Sequence, residues 1–125
     1  MVRKIGYWIA TVLIALGYLT GAYFDIVQPE DMMAEADKLG YPRFFFSILG
    51  VWKLGAGIVI LVPRLPRLKE WAYAGIVINT TGAAATHIYM KDAIGDIVTP
   101  LVLLAIAMAS WALRPASRKL AGPWV

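Results

Sequence analysis

The sequence contains no cysteine among its 125 residues and is poor in charge. Without cysteine the chain forms no disulfide, thiolate metal site or thiol redox centre. Charged residues make up 16% and hydrophobic residues 60%, whereas a soluble domain has about 25% charged and roughly 45–50% apolar residues. The composition therefore predicts a membrane protein, and the length predicts a single domain covering residues 1–125.

Acidic residues are outnumbered, which gives a net charge of +4 and a pI near 9.5. The basic residues flank apolar runs and form no stripe interleaved with aromatic residues, as a nucleic-acid site would require. We therefore expect the lipid bilayer, and no nucleic acid, as a partner.

Four long apolar runs dominate the chain. They cover residues 5–24, 44–62, 71–90 and 97–113. At 1.5 Å per residue, such lengths are near those that cross a hydrocarbon core of about 30 Å. The runs are rich in Ala, Leu and Gly and lack strict alternation, which argues against strands. The sequence thus predicts an all-α fold, a four-transmembrane-helix bundle.

The loop charges predict the orientation of this bundle. One side combines both termini with the loop between the second and third runs and is basic: Arg3, Lys4, Arg64, Arg67, Lys69, Arg114, Arg118 and Lys119, with Glu70 as its acid. The other two loops are rich in Asp and Glu. Because basic loops stay in the cytoplasm, we expect cytoplasmic termini and a location in the inner (plasma) membrane. The segment Pro29–Gly40 in the first outer loop predicts a short external helix, with acids near its start and glycine at its end.

Lys53 is the one charged residue in the middle of an apolar run. A central lysine costs about 2.5–3.5 kcal/mol on insertion scales and usually faces the bundle interior or a cavity. It lies about ten residues, or roughly 15 Å, from the outer end of its helix, and Asn79 lies at nearly the same depth. Asp25 is expected near the outer mouth and Glu70 near the opposite end. We therefore expect no carboxylate within reach of Lys53.

Three explanations for Lys53 are open. Its amine is neutral because burial lowers its pKa, its counter-charge comes from a bound ligand, or it bonds backbone carbonyls or Asn79 in a structural role. Under the ligand hypothesis, small-residue stripes on the helices converge on an outward-facing polar pocket. Its candidate ligand-binding residues are Thr20, Asp25, Trp52, Lys53, Asn79, Thr86 and His87. The pattern indicates no catalytic residue and no metal site, since His87 is the sole histidine.

The stretch YPRFFFSILGVWKLGAGIVILVPRLPRLKEWAYAGIVINTTGAAATHI, residues Tyr41–Ile88, resembles the DoxX-like family of small four-helix membrane proteins. The resemblance implies the fold, and with the flanking helices it covers nearly the whole chain. Relatives are linked to membrane redox complexes and to quinone-coupled sulfur oxidation, although the thiol version of that chemistry is closed to a chain without cysteine. By the resemblance, Lys53, Glu70, Asn79 and His87 are the positions most worth testing.

Three functions are consistent with these features. The first is binding of a quinone- or lipid-like ligand, accessory to a membrane redox or stress-response system. The second is transport of the small-multidrug-exporter type, which depends on a carboxylate in the first helix, where this chain has none before Asp25. The third is a structural subunit or homo-oligomer that docks through the Gly17–Gly21 face. No nucleophile and base pair supports an enzyme, and the sequence identifies no cofactor.

Overall fold

The computed structural model describes residues 1–116 and residue 119, and this part of the chain is helical without any strand. The helices are α1 (Val2–Val27), α2 (Glu30–Lys38), α3 (Arg43–Leu61), α4 (Pro66–Tyr89) and α5 (Ile94–Ala112). The all-α prediction is confirmed, and α2 is the short helix predicted between the first two apolar runs. Arg118, one of the basic residues used to orient the chain, lies outside the described residues.

Residues with left-handed backbone conformation mark the end of α1 and the start of α4. Gln28 adopts a left-handed conformation after α1 (φ 56°), and its N–H bonds the Phe24 carbonyl at 2.8 Å. Before α4, Leu65 is also left-handed (φ 56°), and Pro66 opens the helix. Proline suits that first position because its missing N–H would have no partner there. As a result α4 begins before the predicted apolar run and includes the basic segment that the sequence assigned to a loop.

The four long helices form a ring in which α1 lies between α3 and α5, and α4 closes the ring on its other side. The core is formed by residues from all four long helices: Ile14, Ala15, Tyr18, Ile60, Tyr73, Ile76 and Ala107. The closest approach joins α1 and α3, where a Cβ on Gly50 would lie 2.7 Å from Ile26 Cγ1 and 3.1 Å from the Ala22 carbonyl. Glycine at this position therefore sets the spacing of the two helices.

Apolar side chains cover the outside of the bundle, which is typical of a protein in lipid. Of the described helices, α1, α3 and α5 are long and apolar enough to span a membrane. Helix α4 has 24 residues but is less apolar, and it does not meet that criterion. The protein is therefore a membrane protein with three candidate spans. A fourth span and the orientation of the bundle stay predictions.

Candidate functional site: a cleft between helices α3 and α4

A cleft of about 560 Å³ separates α3 from α4. It opens on the outer surface of the bundle, since its lining residues Trp52, Trp71 and Ile78 are 73%, 72% and 71% exposed. Two further lining residues, Gly55 and Gly75, have open space where a side chain would begin. The absence of side chains at these positions thus helps to keep the cleft open.

The lining is apolar except for three polar side chains, Tyr18, Lys53 and Asn79. Tyr18 extends from α1 to α4, where its hydroxyl donates to Asn79 Oδ1 at 2.8 Å. This bond occupies the amide oxygen of Asn79 and leaves the two N–H groups of its Nδ2 without a hydrogen-bond acceptor in the described part of the chain. The cleft therefore presents hydrogen-bond donors on an otherwise apolar wall.

Lys53 forms an ion pair, with its Nζ 3.0 Å from Asp25 Oδ2. The prediction that no carboxylate reaches Lys53 is wrong, and the reason is the register between α1 and α3. Gly50 packs against Asp25, so that Lys53 lies beside Gly21, one helical turn away from the carboxylate. The lysine side chain lies along Gly21 and spans that turn. From the sequence, the depths of Asp25 and Lys53 were estimated separately, each from the end of its own helix. That procedure does not include the offset of about one turn between the antiparallel helices α1 and α3.

The seven sequence-predicted ligand residues do not gather in one place. Trp52, Lys53 and Asn79 line the cleft, and Asp25 adjoins it only through Lys53. The remaining three residues do not line it.

Those three residues lie elsewhere on the bundle, and two of them have local polar contacts. Thr20 is exposed, and the Thr86 hydroxyl donates to the carbonyl of Gly82 in its own helix. His87 Nδ1 lies 2.7 Å from Asp92 Oδ2 on an exposed surface. In place of the predicted outward-facing polar pocket, the structure has a largely apolar lateral cleft with a small polar patch.

A second polar site, at the opposite end of the bundle, was missed as a site. Glu70 and Arg114 form an ion pair in which each side chain is only 6% exposed. Trp111 Nε1 donates to Glu70 Oε2 at 3.0 Å, and the Arg114 guanidinium lies 4.8 Å from the centre of the Trp111 ring. Burial lowers the pKa of Arg114. From the sequence, both charges were expected on the inner side of the bundle. The available signal for an ion pair was that Glu70 is the one acid among the basic residues of that side.

A buried hydroxyl cluster adjoins this ion pair. Ser110 Oγ lies 2.6 Å from Thr11 Oγ1 and 2.7 Å from the Tyr73 hydroxyl, which joins α5 to α1 and α4. These groups satisfy one another within an apolar interior. The cluster therefore links three helices, and its polar groups are occupied within the bundle.

One of three comparisons with known proteins found a match. The model of the DoxX-like family matches residues 9–110, which includes nearly all of the four long helices. No curated protein and no solved structure matches the chain.

Proposed function

The chain belongs to the DoxX-like family, and from this membership and the cleft we propose that it binds a small quinone-like amphipathic ligand within the bilayer. The observation that carries the proposal is the pair of donor side chains, Lys53 and Asn79, on the wall of an apolar cleft. Small-molecule sites commonly combine about 300–1,000 Å³ of mostly apolar space with a few placed polar groups. By the family resemblance, the protein would act as an accessory to a membrane redox or stress-response system.

The polar patch favours a ligand with carbonyl oxygens. Asn79 Nδ2 and the Lys53 ammonium are donors, so that the matching ligand group is an acceptor. The rest of the lining is apolar and suits a hydrocarbon ring or chain. Such a group has no polar atom that would be buried without a hydrogen-bond partner. A quinone headgroup combines both features.

The depth of the patch favours a quinone over a phospholipid. Lys53 lies ten residues from the start of α3, or about 15 Å along the helix. If α3 spans the bilayer, this position is near the middle of the roughly 30 Å hydrocarbon core. A charged phospholipid headgroup stays at the interface, whereas an uncharged carbonyl headgroup enters the core at less cost.

Two glycines on α4 provide a matched test of ligand binding. Both Gly75 and Gly82 have open space at the Cβ position, but only Gly75 lines the cleft. Gly75→Leu should therefore fill the cleft without disturbing the packing. Gly82→Leu should likewise leave the packing intact, but it should leave the cleft empty. The wild type and both variants would be purified in mild detergent, and co-purifying quinones and lipids would be quantified by mass spectrometry.

We expect quinone in the wild type and in Gly82→Leu, with at least a tenfold loss in Gly75→Leu. Equal quinone retention in the two variants, or no quinone in the wild type, would refute the proposal. A phospholipid that co-purifies with the wild type and is lost only in Gly75→Leu would replace the quinone with the lipid alternative.

For the membrane arrangement, we propose four spans with both termini in the cytoplasm of a bacterial cell. Support comes from the loop charges and from α4, whose charged Lys69 and Glu70 are buried against protein contacts instead of facing lipid. Because the chain lacks cysteine, single cysteines report topology directly. Lys91→Cys should react with a membrane-impermeant maleimide in intact cells, and Arg64→Cys only after permeabilisation. Labelling of both in intact cells would rule out this topology.

Transport is the second candidate, because Asp25 lies within α1 and its side chain is only 10% exposed. This places a buried carboxylate in the first helix, as an exporter of that type requires, although here it is paired with Lys53. Proton-driven efflux from loaded vesicles, lost in Asp25→Asn, would favour transport over storage or presentation of a ligand.

The docking hypothesis has less support, because the predicted docking glycines contact this chain itself. A Cβ on Gly17 would lie 3.4 Å from Leu103, and one on Gly21 would lie 3.4 Å from the Lys53 Nζ. Both glycines therefore lie near side chains of this chain's own helices, which leaves less of the Gly17–Gly21 face for a partner.

A further inference from the structure

Lys53 lines the cleft, whereas its partner Asp25 lies behind it on α1 and does not line the cleft. Two glycines build this arrangement. A Cβ on Gly21 would come within 3.4 Å of the Lys53 Nζ and 3.5 Å of its Cδ, so that the bare backbone provides the path along which the lysine lies. A Cβ on Gly50 would come within 3.0 Å of Asp25 Cβ, so that α3 packs directly on the carboxylate-bearing residue. The carboxylate is thus fixed beside the ammonium by backbone spacing.

The pair makes the cleft wall electrically neutral in an environment of low dielectric constant. A carboxylate or sulfonate ligand would bring a net negative charge into that environment, which is costly. If Lys53 turned to such a ligand, Asp25 would remain as a buried charge without its partner. A neutral ligand with a carbonyl oxygen accepts a hydrogen bond and leaves the ion pair intact.

We propose that Asp25 determines the charge of the ligand: it neutralises Lys53, and the cleft therefore accepts uncharged carbonyl amphiphiles and rejects anionic ones. This inference rests on the proposed function of the cleft. It assigns Asp25 a role in specificity without contact to the ligand. Removing the carboxylate while keeping Lys53 should convert the cleft into a site for anionic amphiphiles.

The test uses two probes with the same brominated alkyl chain, one ending in a methyl ester and the other in a sulfonate. Bromine quenches tryptophan fluorescence on contact, and Trp52 and Trp71 line the cleft. The full chain would be placed in nanodiscs of zwitterionic lipid so that the bilayer surface does not favour either probe. Because Trp52 and Trp71 are also exposed on the outer surface of the bundle, a probe in the bilayer can quench them without entering the cleft. Subtracting the quenching of Gly75→Leu, which fills the cleft and keeps both tryptophans, would isolate quenching in the cleft.

We expect the wild type to prefer the ester at least tenfold, after correction for the amount of each probe in the bilayer. Asp25→Asn should reverse this preference to at least tenfold for the sulfonate. The double variant Asp25→Asn/Lys53→Met should prefer the ester again, because no charge remains. This control attributes the reversal to the uncompensated ammonium and not to altered packing.

The outcomes separate the inference from the proposed function. Equal binding of ester and sulfonate by the wild type would overturn the inference and leave cleft binding intact, and this measurement does not depend on whether Asp25→Asn folds. An ester preference that persists in folded Asp25→Asn would also overturn it. If neither probe quenches Trp52 or Trp71 more in the wild type than in Gly75→Leu, the proposed ligand cleft itself fails.

Discussion

Removing one charge of the buried ion pair between Glu70 and Arg114 should be among the most destabilising single substitutions in this protein. Glu70→Gln removes the negative charge and keeps nearly the same shape and an amide oxygen that can still accept the bond from Trp111 Nε1. What changes is the electrostatic environment of Arg114, whose side chain is 6% exposed. The substitution therefore isolates the charge of the pair from its packing.

The expected loss is about 3–5 kcal/mol, the range for removing one partner of a buried pair. The loss arises because Arg114 would keep a buried positive charge without a carboxylate. Its remaining partners would be the Trp111 carbonyl, which accepts from Arg114 Nε at 2.6 Å, and the rings of Trp111 and Tyr73, 4.8 Å and 5.9 Å away. Cation–π contacts contribute about 0.5–2 kcal/mol, which is too little to replace the carboxylate. A loss of 3 kcal/mol corresponds to roughly a hundredfold change in the unfolding equilibrium constant.

Reversible unfolding in mixed micelles, followed by tryptophan fluorescence and by circular dichroism, would measure the change. Glu30→Gln is the matched control, because Glu30 also pairs with an arginine, Arg43, but its side chain is 82% exposed. We expect no measurable change in that control. In the double variant Glu70→Gln/Arg114→Met, most of the lost stability should return, since no charge is left unpaired. A Glu70→Gln variant within 1 kcal/mol of the wild type would refute this reasoning.

Three further predictions concern packing and capping. Gly50→Ala should destabilise the bundle by about 1–3 kcal/mol, because its Cβ would collide with α1. Gly55→Ala, which has open space at Cβ, should be neutral or slightly stabilising. Equal effects of the two substitutions in unfolding assays would contradict the α1–α3 register. Ser110→Ala should cost about 1–3 kcal/mol, because it leaves two buried hydroxyls without a shared partner; exposed Thr81→Val is its control. Lys69→Met should reduce stability by about 1–3 kcal/mol, since Lys69 donates to two carbonyls at the end of α3, and an unchanged unfolding midpoint would argue against this capping role.

The helices were predictable because their signal is local. An uninterrupted apolar run of about 20 residues requires a helix in lipid, where every backbone polar group must be satisfied internally. The short helix α2 was also predictable, from the proline before it and Gly40 after it, which has φ 81°. The start of α4 was not, because Lys69 and Glu70 read as loop charges. Both are buried in the fold, where each finds partners on other parts of the chain.

The candidate site was predictable only in part, because it depends on distances between helices. Lys53 and Asn79 were placed at the same depth from the sequence, and the structure puts both in one cleft. The partner of Lys53 was missed, since antiparallel packing of Gly50 against Asp25 shifts the two helices by a turn relative to simple counting. The sequence around Gly50 or around Asp25 does not indicate how the two helices align. Likewise, the bond between Tyr18 and Asn79 crosses the bundle and has no local signal.

The position of the cleft follows from how the polar contacts are distributed around the ring of helices. Asp25 ties α1 to α3 through Lys53, and Ser110 ties α5 to both α1 and α4. The described side-chain hydrogen bonds tie α4 to α3 only at one end, where Lys69 reaches the last turn of α3.

Beyond that end the described side chains of the two helices form no hydrogen bond with one another, and in lipid no hydrophobic driving force holds apolar surfaces together. Under the proposed function, the gap between α3 and α4 is therefore where a molecule from the bilayer would break no hydrogen bond between helices on insertion. The donors of Lys53 and Asn79 face the same gap. The polar contacts that hold three sides of the ring together thus leave the fourth side as the entrance that the proposed function requires.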